Sequence, residues 1–276
     1  MRRIELSALQ GALKVLGRTL LRGLAPQSCV LCGDWVEAED LRPLCRPCRQ
    51  DLPPIPPRIC HCCGIPVGGN LLDRLVFCSA CRSDPPSFLK ARSFGLYRGP
   101  LRRLVRSYKF DGMRRIALPL AELLWESYCR HDFEARALVW VPSHPKRVRR
   151  RGFDHMRLLG ETFAQRCRLP LLNGFKRVRH TPAQSGLSRR QRRINLSNAF
   201  DLDAPADGSR VLLLDDIYTT GTTLQEASST LLRSGAASVE VLTVARVPLY
   251  STPDWSSVAD NRRDGFTDSF PERIST

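Results

Sequence analysis

The chain has 276 residues, enough for one sizeable core plus a small module, and a formal net charge of +16. Lys occurs only at positions 14, 90, 109, 146 and 176, so Arg supplies the excess, through phosphate-seeking chemistry or through an Arg-rich codon preference. No window holds the ~20 consecutive apolar residues a spanning helix needs, which excludes a helical transmembrane protein.

Residues 1–28 form a leading segment. Over 4–24 an amphipathic helix is expected, with Leu6, Leu9, Leu13, Leu16, Leu20, Leu21 and Leu24 as a broad stripe. Lys14, Arg18 and Arg22 break the apolar region and no small-residue cleavage site follows, so the pattern reads as a docking helix rather than an export signal. A cytoplasmic protein is expected.

Residues 29–84 hold nine of the eleven cysteines. Cys29-x-x-Cys32 is followed after twelve residues by Cys45-x-x-Cys48, and Cys60-His61-Cys62-Cys63 after fourteen by Cys78-Ser79-Ala80-Cys81. Paired knuckles at that spacing suit tetrahedral thiolate coordination of zinc, and Gly33 and Gly64 let the turn after a knuckle close. The ligands are expected to be Cys29, Cys32, Cys45 and Cys48, then Cys60, Cys63, Cys78 and Cys81, with Cys62 packing or an alternate. Spacing leaves open whether the knuckles pair in sequence or cross over. Four thiolates leave no position for a catalytic water, so both sites read as structural. Disulfides are the alternative, disfavoured in a cytoplasmic setting. Pro53-Pro54-Ile55-Pro56-Pro57 separates the halves as a stiff spacer.

From residue 85 to 248 helical and strand-like segments alternate. Helices are expected at 101–110 and 113–129, with Pro119 as a kink or near the start, and a strand at 137–141 ending at Pro142. A helix spans 154–167, Leu171-Leu172 starts another strand, and 176–198 reads as a long loop. Cys129 and Cys167 are expected as buried core residues. Fifteen Lys and Arg against Asp154 and Glu161 make 142–193 strongly basic. The strand at 211–214, its helix and a strand at 239–247 complete a βαβ unit, so an α/β fold with a mostly parallel sheet is expected. Residues 249–276 carry no periodicity and read as a disordered tail.

The stretch Val211-Leu212-Leu213-Leu214-Asp215-Asp216 is a strand buried on both faces that ends in two acids. The Thr/Gly-rich turn Thr219-Thr220-Gly221-Thr222-Thr223 then opens a helix, whose N–H groups and hydroxyls make an anion site. Carboxylates beside it can accept hydrogen bonds from sugar hydroxyls, so ribose 5-phosphate uses both groups. A strand end of a nucleoside triphosphatase is the alternative, but no G-x-x-x-x-G-K-[ST] accompanies it.

The same segment resembles the phosphoribosyl pyrophosphate (PRPP) motif of type I phosphoribosyltransferases. The resemblance implies Asp215 and Asp216 as ribose-binding acids and Thr219 to Thr223 as the phosphate loop, Thr222 standing where Ala is common. Over residues ~29–247 the chain resembles the ComF family, in which a double zinc ribbon precedes a phosphoribosyltransferase-type domain. Tyr97-Arg98-Gly99-Pro100-Leu101 with Lys109-Phe110, Val141 to Arg147, Arg151-Gly152-Phe153, and Thr181, Gln184, Ser185-Gly186-Leu187, Arg192 and Asn195 carry that resemblance. The family continues Arg-Gly-Phe with Asn-Gln, where this chain has Asp154-His155. The turn after the 137–141 strand lies at the carboxyl edge of the sheet, where Arg147 and Arg151 can meet pyrophosphate; Lys109 has a similar claim. His144 and His155 read as structural rather than catalytic. The resemblance implies PRPP with Mg²⁺ as ligand, phosphoribosyl transfer to an unidentified acceptor, and a link to competence and DNA uptake. The alternative is a non-catalytic accessory protein that handles single-stranded DNA or senses PRPP beside other competence proteins, with Arg42, Arg46, Arg49 and Arg58 near the ribbons to meet phosphates.

Overall fold

The structure, a computed structural model, describes residues 28–36, 43–68, 76–179 and 198–248. The expected helix over 4–24, the segment 180–197 and the tail from 249 lie outside the described residues.

Short helices α1 (Arg46–Gln50) and α2 (Ser79–Ser83) belong to the cysteine module. Then come β1 (Ala91–Leu96), α3 (Gly99–Phe110), a 3₁₀ turn at Arg114–Ile116, α4 (Ala117–Arg130) and β2 (Ala137–Trp140). α5 (Pro145–Arg151), α6 (His155–Cys167), β3 (Phe175–Arg177) and β4 (Phe200–Leu202) follow. β5 (Arg210–Tyr218), α7 (Thr222–Arg233) and β6 (Ser238–Arg246) close the described chain. The main sheet has the order β1-β6-β5-β2 and every pairing in it is parallel, while β3 and β4 form a separate antiparallel pair.

Continuous apolar runs put side chains on both faces of β5 and β6, and each face has its own core. Leu212, Leu214, Leu242 and Val244 meet α3, α4 and α6 through Leu104, Leu120, Leu124, Leu159 and Phe163. Val211, Leu213, Val239 and Val241 meet α7 through Leu224, Ala227 and Leu231. Each fully buried Leu or Val contributes about 1.5–3 kcal/mol of transfer free energy, so both sheet faces need a cover. The result is a helix–sheet–helix sandwich, as the alternation of elements implied.

The cysteine module supplies part of both covers by wrapping the edge strand β1. Cys29, Leu44 and Leu52 enter the first core; Cys60, Cys63, Ile65 and Cys81 enter the second. Along β1, the Ala91 N–H donates to Cys62 O at 2.7 Å and the Leu96 N–H to Pro53 O at 2.9 Å. A free edge is thus paired by the module.

Several expectations are refined. Pro119 stands in the first turn of α4, where its missing N–H costs nothing, so it does not kink a helix. Leu171 makes one isolated bridge to Leu138 and starts no strand. Lys176 and Arg177 lie in β3 rather than in the loop. Cys129 and Cys167 are half-buried rather than fully buried. Strand β1 and helix α5 were not expected.

Candidate functional site

The eight knuckle cysteines form two groups, Cys29, Cys32, Cys45, Cys48 and Cys60, Cys63, Cys78, Cys81, with ligand atoms within 4.8 Å of one another in each. The knuckles therefore pair in sequence. Cys32 Sγ lies 3.6 Å from Cys45 Sγ and Cys63 Sγ 3.7 Å from Cys78 Sγ. A tetrahedron with Zn–S bonds of about 2.3 Å places its sulfurs about 3.8 Å apart, so both groups fit zinc. Backbone N–H groups also point at the sulfurs, from Cys45 to Cys29 at 3.4 Å and from Cys78 to Cys60 at 3.3 Å, and stabilise thiolate charge. Cys62 stays outside its quartet, with its sulfur 4.0 Å from Phe88 O, and packs. Gly33 and Gly64 take left-handed φ of 83° and 66° after their knuckles.

At the carboxyl edge of the sheet, Lys109, Arg147, Arg151, Asp215, Asp216, Thr219 and Thr223 line one cavity of about 630 Å³. Lys109 comes from the last turn of α3, the arginines from α5, the acids from the end of β5, Thr219 from the loop after it and Thr223 from the first turn of α7. α5 is set locally: Pro145 opens it, the His144 ring accepts from the Lys146 N–H at 3.1 Å, and Gly152 closes it at a φ of 79°.

The loop after β5 leaves α7 without a side-chain cap, so its first N–H groups are open to an anion. Gly221 has a φ of 82°, and a Cβ there would fall 2.7 Å from the Tyr218 ring, so only glycine fits. Arg246, 3% exposed, stacks on Tyr218 and donates through Nη1 to Tyr218 O at 3.0 Å and Thr219 O at 2.6 Å. It holds the loop's carbonyls inward, which turns the loop's N–H groups outward. Thr220, Gly221 and Thr222 face a second cavity of about 360 Å³, whose opposite wall is Cys63, Cys78 and Cys81 of the second ribbon. The loop therefore separates two cavities.

The two acids differ. Asp216 is 4% exposed, and its Oδ2 accepts from Lys109 Nζ at 2.7 Å and His155 Nε2 at 2.9 Å. Burial opposes its charge, but the Lys109 ammonium and the His155 ring hold its carboxyl well below the usual range. Asp215 is half-buried and its Oδ1 accepts from the Asp216 N–H at 2.9 Å. Burial, and then the neighbouring Asp216 charge, push the Asp215 carboxyl up to about 8.

His155, which the sequence reads as structural, lines the cavity and meets Asp216. Its Nδ1 faces Ser143 Oγ at 3.2 Å and the Arg151 guanidinium. Arg has no acceptor atom, so Nδ1 accepts and Nε2–H donates to Asp216. Burial lowers the ring's pKa, which keeps it neutral. Asp154 beside it caps α6, accepting from the Met156 and Arg157 N–H groups at 3.1 and 3.2 Å. The one signal in the sequence was a His where the resembled family carries Gln.

Comparison with known proteins agrees with both halves of this architecture. Residues 20–82 match the double zinc ribbon domain, and residues 167–270 match the phosphoribosyl transferase domain. Competence protein F of Haemophilus influenzae is 34% identical over 213 residues, covering 74% of this chain and 90% of the relative. DNA utilization protein YhgH of Salmonella typhi is 35% identical over 195 residues, covering 68% and 84%. Competence protein ComFC of Bacillus subtilis is 27% identical over 240 residues, covering 81% and 97%. With two cysteine quartets ahead of a parallel sheet, and relatives at this identity along most of their length, the chain belongs to the ComF family.

Proposed function

We propose that the protein binds PRPP with Mg²⁺ and transfers the phosphoribosyl group to an acceptor, in support of competence and DNA uptake. The observation that carries this reading is the convergence of a carboxylate pair, Thr219 and Thr223 on either side of the uncapped helix start, and three cations, Lys109, Arg147 and Arg151, on one cavity. The loop at Thr219 to Thr223 receives the 5-phosphate, the acids orient the ribose, and Arg147 and Arg151 face the diphosphate with charge-assisted hydrogen bonds. Positive charge develops on the sugar ring as the C1–O bond to pyrophosphate breaks, so the chain's task is positioning and electrostatic stabilisation. Magnesium bound with PRPP supplies neutralisation of the diphosphate. Among the described residues only the cysteine quartets gather three or more metal-ligating side chains, so the ion's ligands would come mainly from PRPP and water.

A DNA-handling role without turnover is the second reading. It is favoured by Phe110, 62% exposed between the Arg106 and Arg151 guanidiniums, which joins the cavity to a groove containing Arg103. Against one part of it, Arg49 is engaged by Glu126 at 2.8 Å. No helix among the described residues is long and apolar enough to cross a membrane.

Isothermal titration with PRPP and Mg²⁺, on wild type and on an Asp215→Asn/Asp216→Asn variant, tests the proposal. Saturable binding that the variant loses is the expected result. A folded wild type that binds single-stranded DNA but not PRPP leaves only the second reading.

A further inference from the structure

Helix α3 carries two stripes. Leu101, Leu104, Val105 and Tyr108 make its buried face. Arg103, Arg106, Ser107 and Phe110 recur at helical spacing on another face, so they stand one above the next along the helix. Phe110 ends that stripe with its ring in water, although an aromatic ring gains by burial. Guanidiniums flank it: Arg106 Cζ lies 5.9 Å and Arg151 Cζ 5.8 Å from the ring centroid. Among the described residues neither Arg103 nor Arg106 meets a carboxylate, whereas Arg49, Arg130 and Arg210 do. Phe110 is also where two hollows join. It lines the ligand cavity beside Lys109 and Arg151, and it lines a groove of about 320 Å³ with Arg103, Arg106 and, from the first ribbon, Val30 and Leu31.

We infer that this stripe is the docking track of a single-stranded polynucleotide, one base on Phe110 and its phosphates on Arg103 and Arg106, and that PRPP in the adjoining cavity weakens its hold through Arg151. Guanidiniums without carboxylate partners call for phosphates, and an exposed ring between them calls for a planar group. A duplex keeps its bases in the stack, so a ring that needs a partner face selects an unpaired strand. The groove runs from the first ribbon to the cavity mouth, and that brings the strand and the cavity's ligand side by side.

Arg151 belongs to both places, since it flanks the ring and lines the cavity. A diphosphate that takes its planar fork draws it away from Phe110, and the strand loses one of the two cations at its stacked base. Phosphates of the two ligands also repel across the shared mouth. Linkage makes the effect mutual: the factor by which PRPP weakens the strand is the factor by which the strand weakens PRPP. The coupling rests on the phosphoribosyl reading; the docking track does not.

Fluorescence anisotropy on the full-length, zinc-loaded protein tests both halves, with a short labelled oligothymidylate and an abasic strand of equal length as probes. Phe110→Ala is expected to weaken the oligothymidylate about tenfold, the effect of losing one stacked base, and to leave the abasic strand unchanged. Phe110→Trp should restore the affinity. Arg103→Ala/Arg106→Ala should weaken both strands and lower the slope of log affinity against log salt by about 1.4, ~0.7 for each phosphate. These side chains are all exposed, so each variant keeps its fold. Saturating PRPP with Mg²⁺ should weaken the oligothymidylate about fivefold or more, with PRPP weakened equally by the strand. A Phe110→Ala loss that is absent, or equal for the two strands, overturns the track, as does an unchanged salt slope in the double variant. A wild type that binds PRPP but no strand overturns the whole inference and leaves the phosphoribosyl reading standing. Strand binding that PRPP leaves unchanged or strengthens overturns the coupling alone. A wild type that binds the strand at Phe110 but not PRPP overturns the coupling together with the phosphoribosyl reading.

Discussion

The two ribbons share a motif and differ in what they hold. In the first, Cys32 is exposed, the turn at Gly33 after the knuckle has open space beside it, and α1 reaches helix α4 through Arg49, which meets Glu126 at 2.8 Å and Glu122 at 3.9 Å. In the second, Cys60, Cys63 and Cys81 are buried, and the Cys62 carbonyl takes a hydrogen bond from β1. Three of its cysteines share a cavity with Thr220, Gly221 and Thr222 of the loop after β5. Four cysteines at fixed spacing define a metal site, but the surface the site packs on defines its consequence. The first ribbon braces a helix; the second braces a sheet edge and walls a cavity beside the loop after β5.

Removing zinc from one ribbon at a time gives the largest expected contrast. Structural zinc in small modules supplies about 10 kcal/mol or more of folding free energy, so either loss should unfold its own ribbon. Cys29→Ser/Cys32→Ser is expected to lose one of the two metal sites, with ribose 5-phosphate affinity kept within about threefold because the loop's neighbours remain. Cys60→Ser/Cys63→Ser should lose the other site, lower the melting temperature further, and weaken ribose 5-phosphate by about tenfold or more as the cavity wall opens. Elemental analysis, thermal melting and titration on the same samples check this. Equal affinity losses would show that the ribbons support the loop alike.

The parts of this arrangement that the sequence made legible are those governed by local chemistry. The quartets follow from cysteine spacing. β5 follows from an apolar run ending in acids, and α6 from Asp154, whose capping bonds mark where the helix starts. β1 was hidden because Arg92 and Ser93 interrupt it, and they are buried only because Arg92 reaches carbonyl oxygens and Ser93 meets Thr243 at 2.6 Å. α5 reads as a run of surface arginines, although Pro145 and Gly152 are proper start and stop signals. The short pair of β3 with β4 joins segments on either side of 180–197, and so is invisible to any local pattern. His155 met its partner Asp216 across 61 residues, a contact that only the sheet order creates.

A smaller contrast comes from the knuckle glycines. Both take left-handed backbone, so Ala at either position carries a conformational penalty of about 1 kcal/mol. At Gly33 a Cβ meets nothing within 4 Å, and Gly33→Ala should cost little more than that penalty. At Gly64 a Cβ falls 2.5 Å from Ala91 O, a backbone atom that cannot swing away. Gly64→Ala should therefore cost about 2–4 kcal/mol and loosen the second ribbon from β1, which thermal melting and amide exchange at Ala91 both read.

The smallest contrast lies in the arginines that tie each ribbon to the α/β domain. Arg49 is a partly exposed cation whose pairs with Glu126 and Glu122 are screened by water, so Arg49→Ala should cost at most about 1 kcal/mol, less at high salt. Arg92 is 9% exposed and donates through Nη1 to His61 O at 3.0 Å and Ala91 O at 2.8 Å. Its removal leaves the carbonyl oxygens of His61 in the second ribbon and Ala91 in β1 without that donor, and Arg92→Ala should cost about 2–3 kcal/mol with no salt dependence. Denaturant melts of both variants at low and high salt decide the matter. A salt-sensitive loss at Arg92, or one no larger than at Arg49, would mean that the second ribbon is held by charge at its surface rather than by buried hydrogen bonds, and the asymmetry between the ribbons would then rest on the zinc alone.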